Sequence, residues 1–273
     1  VKVWAREHGV EVRQPDRPGD EETRWLKALG CDLLLVMAYG HMLRDSLLDA
    51  PRLPPINFHA SLLPELRGAS PIETAIATGR GTTGVTLMRI VKKMDAGARY
   101  DVEEVPIGPA DTRSSLADKL ALACVPLLAR ALPRLAAGDL LFEPQDESRA
   151  SYCRILDKDD SNLDFNAPAR ELHDRCRAFH LWPGTCFELQ GQRIRLGSSA
   201  IPEDAPTNGA APGTVLESGA GQGLLVATGS GALSMLTLQR PGGKMLPAAE
   251  FLRGMPIPSG TVLESRPMKP LER

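Results

Sequence analysis

Apolar residues in the first half of the chain fall into short unbroken runs, and stretches with helical spacing separate them. Residues 31–38 (CDLLLVMA) form one such run, which predicts a strand buried on both faces of a parallel sheet. Pro54 and Pro55 lead into a short strand over 56–58, and 84–90 (GVTLMRI) and 100–105 predict two more. Between them, 70–78 reads as a helix: Ser70 suits the N-cap, Pro71 the first helical position, and Glu73 would complete a capping box. A long helical region over 114–137 is expected to break at Pro126 and Pro133. Strands alternating with helices predict an α/β layer fold.

The pattern changes after Phe142. Residues 143–160 (EPQDESRASYCRILDKDD) are polar and read as a linker. An amphipathic helix follows over 167–180, then short strands over 185–190, 192–198, 213–217, 223–227 and 232–239, with glycine-rich turns between them. Short strands at this spacing predict a small β-barrel of oligonucleotide-binding (OB) type, and 249–253 a last short helix. The expected division is a catalytic domain over 1–142, a linker over 143–160 and a second domain over 161–273. The opening VKVWAREHGVEV reads as a helix running into a strand and carries no initiator methionine, so further residues are expected upstream.

A length of 273 residues suits two domains. No apolar run approaches the roughly 20 residues that span a bilayer, and no secretory signal opens the sequence, so a cytoplasmic, non-membrane protein is the default. The five cysteines (Cys31, Cys124, Cys153, Cys176, Cys186) form no CxxC pair and the histidines no HxxxH spacing, which argues against a disulfide framework or a metal site. A net charge of −2 does not by itself advertise a nucleic-acid partner.

The sharpest chemistry lies in I56-N-F-H-A-S-L-L-P-E-L-R-G-A-S-P71. Asn57 and His59 are two apart, so on a strand they face the same side. Placed where a strand gives way to a loop, an amide can donate to a developing oxyanion, and an imidazole can exchange protons near neutral pH. The alternative is a structural pair at a strand end. A second segment, T83-G-V-T-L-M-R-I-V-K-K-M-D-A-G97, ends in Asp95, which could face His59 from the neighbouring strand end or be an ordinary turn aspartate.

Together, N57-F-H59, S61-L-L-P64, R67-G68, P71-I72, T83-G-V-T86 and M94-D-A-G97 resemble the folate-dependent formyltransferases. A38-Y-G40, Q145-D-E147, A178-F-H-L-W-P183, P212-G-T214, L238-Q-R-P-G-G-K244 and F251-L-R-G254 extend the resemblance, over nearly the whole chain, to the branch acting on methionyl-tRNA. The resemblance implies a Rossmann-like, mostly parallel sheet followed by an OB-like barrel. It also implies a strand, a glycine-containing turn, a helix, a second strand and a tRNA-contacting loop upstream of Val1. Phe58 departs from the family by replacing a β-branched residue. The lysines of V91-K-K-M could help neutralise a phosphate or the folate carboxylate.

The resemblance, and no spacing or composition, further implies 10-formyltetrahydrofolate as donor, no metal, and the amino group of methionine on initiator tRNA as acceptor. By the same likeness Asn57, His59 and Asp95 would be catalytic. Ser61, Leu62, Leu63, Pro64, Met37, Tyr39, Gly40 and Val91 would hold the folate. Arg67, Arg240, Lys244 and Arg253 would meet the tRNA, and a monomer is expected. The alternatives are a sugar-nucleotide formyltransferase, a formyltetrahydrofolate hydrolase, or a folate- or RNA-binding remnant without catalysis.

Overall fold

The first sheet has four strands, and only one of its three pairings is parallel. This is seen in a computed structural model, which describes residues 1–139, 141–203, 205, 207–219 and 223–273. In chain order the first half contains α1 (Lys2–Glu7), α2 (Asp20–Leu29), β1 (Leu35–Met37), α3 (Asp45–Leu48), β2 (Ile56–His59) and β3 (Arg67–Gly68). There follow α4 (Pro71–Ala77), β4 (Thr82–Arg89), β5 (Arg99–Pro106) and α5 (Arg113–Ala136). The sheet order is β1-β2-β4-β5, with β1 parallel to β2 and both other pairs antiparallel.

The expectation of a mostly parallel sheet is therefore corrected to a mixed one. Residues 90–98, which join β4 to β5, are too few for a parallel crossover, which needs about a dozen residues or more. Only three residues of the 31–38 run become a strand, and no strand follows α1 over 9–12.

α5 is continuous over 24 residues and contains both Pro126 and Pro133. The expected breaks do not occur because the inward face dominates. Leu116, Leu120, Ala123, Leu127, Ala131 and Leu135 recur at helical spacing and are buried against β4 and β5. Each buried leucine is worth about 1.5–3 kcal/mol, which together outweighs the hydrogen bonds the prolines forgo. Thr112 caps this helix, accepting from the Ser115 amide. The capping box expected at α4 is absent: Ser70 is the N-cap residue but makes no side-chain cap bond, and Glu73 accepts from Arg113 Nε at 3.2 Å instead.

Residues 143–160 are docked on the first sheet's loops. Their strand β6 (Tyr152–Cys153) pairs parallel with β3. On its other side β6 meets the last residues of the chain: the Tyr152 and Arg273 backbones exchange hydrogen bonds at 2.8 and 3.0 Å. Glu272 accepts from Ser151 Oγ at 2.5 Å and from Arg80 Nη2 at 2.7 Å, and Leu271 is buried in the first core.

The second half contains α6 (Ala169–Ala178), β7 (Thr185–Leu189), β8 (Gln192–Ala200), β9 (Val215–Gly219), β10 (Gly223–Ala227), β11 (Ala232–Gln239), β12 (Leu246–Pro247) and α7 (Ala248–Gly254). Its sheet runs β7-β8-β11-β10-β9, with β12 on β11, and every pairing is antiparallel. Among the described residues no strand pairing joins β7 to β9, so the expected closed barrel is an open sheet here. Isolated bridges Glu188↔Glu264 and Thr214↔Val262 lie on its two edges. A second core, built on Phe165, Leu172, Phe187, Ile194, Met235 and Phe251, fills the space between this sheet, α6 and α7. The halves are joined where α6 packs on α4. There Arg177 Nη1 donates to the Asp111 carbonyl at 2.7 Å while its Nε donates to Asp174 at 2.8 Å.

Candidate active site

β2 places Asn57 and His59 on one side of the sheet, and Phe58, facing the other way, is buried in the first core. His59 is buried, and its Nε2 lies 2.9 Å from the Leu66 carbonyl. A carbonyl only accepts, so Nε2 carries the proton and Nδ1 is left for chemistry. Leu66 turns its carbonyl inward by adopting φ 55°, a left-handed conformation that a leucine rarely takes.

Other bonds hold this loop in place. The Leu66 amide donates to Ser151 Oγ at 3.0 Å, and Ser61 Oγ donates to the Glu65 carbonyl at 2.6 Å. Thr86, opposite His59 in the ladder, donates to the Ser61 carbonyl at 2.7 Å and accepts from the Leu63 amide at 3.0 Å.

Asp95 Oδ2 stands 3.7 Å from His59 Nδ1 and accepts from the Gly68 amide at 2.8 Å. It arrives by an unexpected route. Because β4 runs antiparallel to β2, Arg89 lies opposite Ile56, at the far end of β2 from His59. The loop after β4 must fold back along the sheet to bring Asp95 to the histidine. Gly97 permits the fold: a Cβ there would overlap the Arg89 carbonyl. Asp95 itself sits at φ 48°. Gly68, at φ 115° with no room for a Cβ beside the Cys153 carbonyl, is the matching glycine on the other side.

The Asn57 side chain is half-buried and has no hydrogen-bond partner among the described residues. Its amide is therefore available to a ligand beside His59 Nδ1 and the Asp95 carboxylate. That arrangement can stabilise a negative oxygen and move a proton at one carbon.

The chain matches two family models, Formyl transferase over residues 5–132 and Formyl transferase, C-terminal domain, over 155–256. It is 42% identical over 271 residues to the methionyl-tRNA formyltransferase of Burkholderia thailandensis, covering 95% of this chain and 81% of that protein. The corresponding enzyme of Sorangium cellulosum is 37% identical over 264 residues, covering 96% and 85%. The chain belongs to the methionyl-tRNA formyltransferase family. Solved structures share its fold. HypX from Aquifex aeolicus in complex with tetrahydrofolic acid aligns with a TM-score of 0.68 at 20% identity, covering 97% of this chain and 48% of that one. An N-formyltransferase from Helicobacter canadensis aligns at 0.65 and 17%, covering 85% and 80%.

Family membership frames the remaining residues. Ser61, Leu63 and Pro64 are buried and shape the loop from inside, while Leu62 is half-buried against Gly84, where a Cβ would strike it. Met37 and Gly40 are exposed and Tyr39 is half-buried where β1 ends beside β2; Val91 is exposed at the start of the fold-back loop. Arg240, Lys244 and Arg253 are exposed on the second half.

Arg67 does not lie where a tRNA could reach it, which corrects its expected role. Its side chain is 0% exposed, and all five N–H groups are used: on Gln145 at 3.0 and 2.8 Å, on Glu147 at 3.2 and 2.9 Å, and on the Tyr152 hydroxyl at 3.1 Å. The two lysines read as anion partners are likewise engaged, Lys93 with Glu147 at 2.6 Å and Lys92 with Asp45 at 2.9 Å. Arg67 and Lys93 together draw the Glu147 carboxyl down to about 2. Sequence reasoning missed Gln145 and Tyr152 as parts of this site. The Q145-D-E147 motif was a signal, but of kinship and not of position.

A cavity of about 670 Å³ in the second half, lined by Ala200, Val215, Glu217 and Leu225 among others, contains none of these groups. No helix is long and apolar enough to cross a membrane, and no group of three or more His, Cys, Asp or Glu is placed to hold a metal, among the described residues.

Proposed function

We propose that this chain transfers the formyl group of 10-formyltetrahydrofolate to the amino group of methionine esterified to initiator tRNA. The reading rests on one observation above all: Asn57, without a side-chain partner among the described residues, is two positions before His59 on β2, and Asp95 Oδ2 is 3.7 Å from that histidine, in a chain related to methionyl-tRNA formyltransferases through both halves. The exposed apolar side chains of Met37 and Met94 flank the strand and the loop that carry those groups, as a flat, partly apolar donor requires.

The donor supplies an acyl carbon on a nitrogen leaving group. A free α-amino group has a pKa of about 7.7–8.0, and the ester of the aminoacyl-tRNA lowers it, so no strong base is needed. Asn57 donates to the formyl oxygen as the amine–carbon bond forms and that oxygen becomes negative. His59, once Nδ1 also carries a proton, donates from Nδ1 to the same oxygen. Asp95 balances the charge on the imidazole and helps pass the proton lost by the attacking nitrogen to the departing folate nitrogen as the old carbon–nitrogen bond breaks.

The second half is read as an OB-like tRNA platform in which Arg240, Lys244 and Arg253 meet acceptor-stem phosphates. A reaction of translation belongs to the cytoplasm.

The test is a formylation assay with methionine-charged initiator tRNA and 10-formyltetrahydrofolate. Formyl-methionyl-tRNA is expected. Transfer only to a nucleotide-linked amino sugar, or formate release at the same rate without an acceptor, would replace the reading with a sugar-nucleotide enzyme or a hydrolase.

A further inference from the structure

The fold-back loop is not explained by the sheet. Asp95 is on no strand, sits in a left-handed conformation and has come from the wrong end of β4. The Gly68 amide holds one carboxylate oxygen, but the backbone that delivers that carboxylate needs a tie of its own.

We infer that Gln145, from outside the catalytic sheet, is the positioning residue for Asp95; the inference rests on the catalytic reading of Asn57, His59 and Asp95. The Gln145 Nε2 donates to the Asp95 carbonyl at 2.7 Å and to the Gly97 carbonyl at 2.7 Å. Its Oε1 accepts from Arg67 Nε at 3.0 Å and from Arg67 Nη2 at 2.8 Å. The amide is thus saturated: two donated and two accepted hydrogen bonds, on a residue only 8% exposed. Its orientation is fixed as well. A guanidinium only donates and a carbonyl only accepts, so the oxygen must face Arg67 and the nitrogen must face the loop.

Arg67 is equally constrained, since its other N–H groups end on Glu147 and Tyr152. One buried chain of bonds therefore runs from the segment after β5 and α5, through Arg67 and Gln145, to the Asp95 backbone. It spans the two loops that carry His59's carbonyl partner and its carboxylate. Lys93, on the fold-back loop, reaches Glu147 at 2.6 Å and ties the same two segments a second time at the surface.

A misplacement of about 1 Å in a reacting constellation can cost on the order of 10²-fold in rate. Gln145→Glu keeps the acceptor for Arg67 but turns an anionic oxygen toward two carbonyls, so the fold-back loop is pushed off while the Arg67 anchor remains. Gln145→Met keeps the length and removes every polar contact. Either variant is expected to lower kcat about 10- to 100-fold and to leave KM for tRNA within about twofold.

The deciding measurement is a double-mutant cycle with Asp95→Asn. If Gln145 acts through Asp95, then Gln145→Glu costs nothing further in kcat once Asp95 is already Asn. Losses that simply add, a kcat near wild type in Gln145→Glu, or a KM effect without a kcat effect would overturn the positioning role. Should Gln145→Glu prove unfolded by thermal melting, Gln145→Met carries the same cycle. A normal rate in Asp95→Asn alone would instead remove the catalytic reading. A slow Asp95→Asn beside a normal Gln145→Glu removes only this inference.

Discussion

His59 has one nitrogen committed to a carbonyl and one turned to the site, and this asymmetry sets what substitution should do. Asn57→Ala and His59→Ala each remove one group from the position of a developing oxyanion, for which losses of about 10²–10³ in kcat are typical. Steady-state formylation assays should show that loss with donor binding, measured by fluorescence, nearly unchanged. Wild-type rates in both variants would end the mechanism.

Glu147 yields a second expectation at this scale. Its pKa of about 2 lies below the ordinary 4.5, so its ion pairs stabilise the fold fully above about 4.5, and their contribution is lost as pH falls toward 2. The difference in urea midpoint between wild type and Glu147→Gln should therefore shrink steadily over that interval, and a constant gap would contradict the pairing.

Single residues were legible where the signal was local. Asn57, His59 and the loop to Pro71 lie within one stretch of sequence. Arg67 was visible as an arginine, but its burial depends on Gln145 and Glu147, which are 78 and 80 residues away. No local pattern records such a partnership.

Elements were legible when one force dominated. The apolar spacing of α5 foretold a helix in the right place, and its error concerned only the prolines, whose cost is set against burial that the sequence does not price. Restoring the missing amide should therefore stabilise: Pro133→Ala is expected to raise the melting temperature, with up to about 3 kcal/mol available from helix propensity. An unchanged or lower melting temperature would mean the proline is itself required for packing. The direction of β4 was not legible, because strand periodicity is the same in either direction. Gly97→Ala tests the resulting fold-back loop. A methyl group that overlaps the Arg89 carbonyl should shift the loop, reducing kcat at least tenfold while the far-ultraviolet circular dichroism spectrum stays that of the wild type.

The whole molecule is two cores joined through α6, Arg177 and the docked residues 143–160. Length and the change of pattern after Phe142 suggested two units, and the polar stretch between them read as a linker for good reason: its Gln145 and Glu147 are polar because they bond to the Asp95 loop, Arg67 and Lys93, and nothing in a polar segment announces such bonds. At this scale the proposed platform predicts a salt effect. Affinity for initiator tRNA should fall steeply with ionic strength, and Lys244→Glu should weaken it and reduce the slope of log K against log salt by about 1. A slope identical to wild type in filter-binding titrations would take Lys244 off the interface.

Residues 271–273 pair with β6 on the side away from β3, and Glu272 bonds to Arg80 across a separation of 192 residues. During synthesis the histidine loop therefore lacks its outermost support until Glu272 has left the ribosome. The catalytic half can collapse early but cannot mature early, and a nascent chain released before Leu271 should be caught by proteases at the Ser61–Gly68 loop.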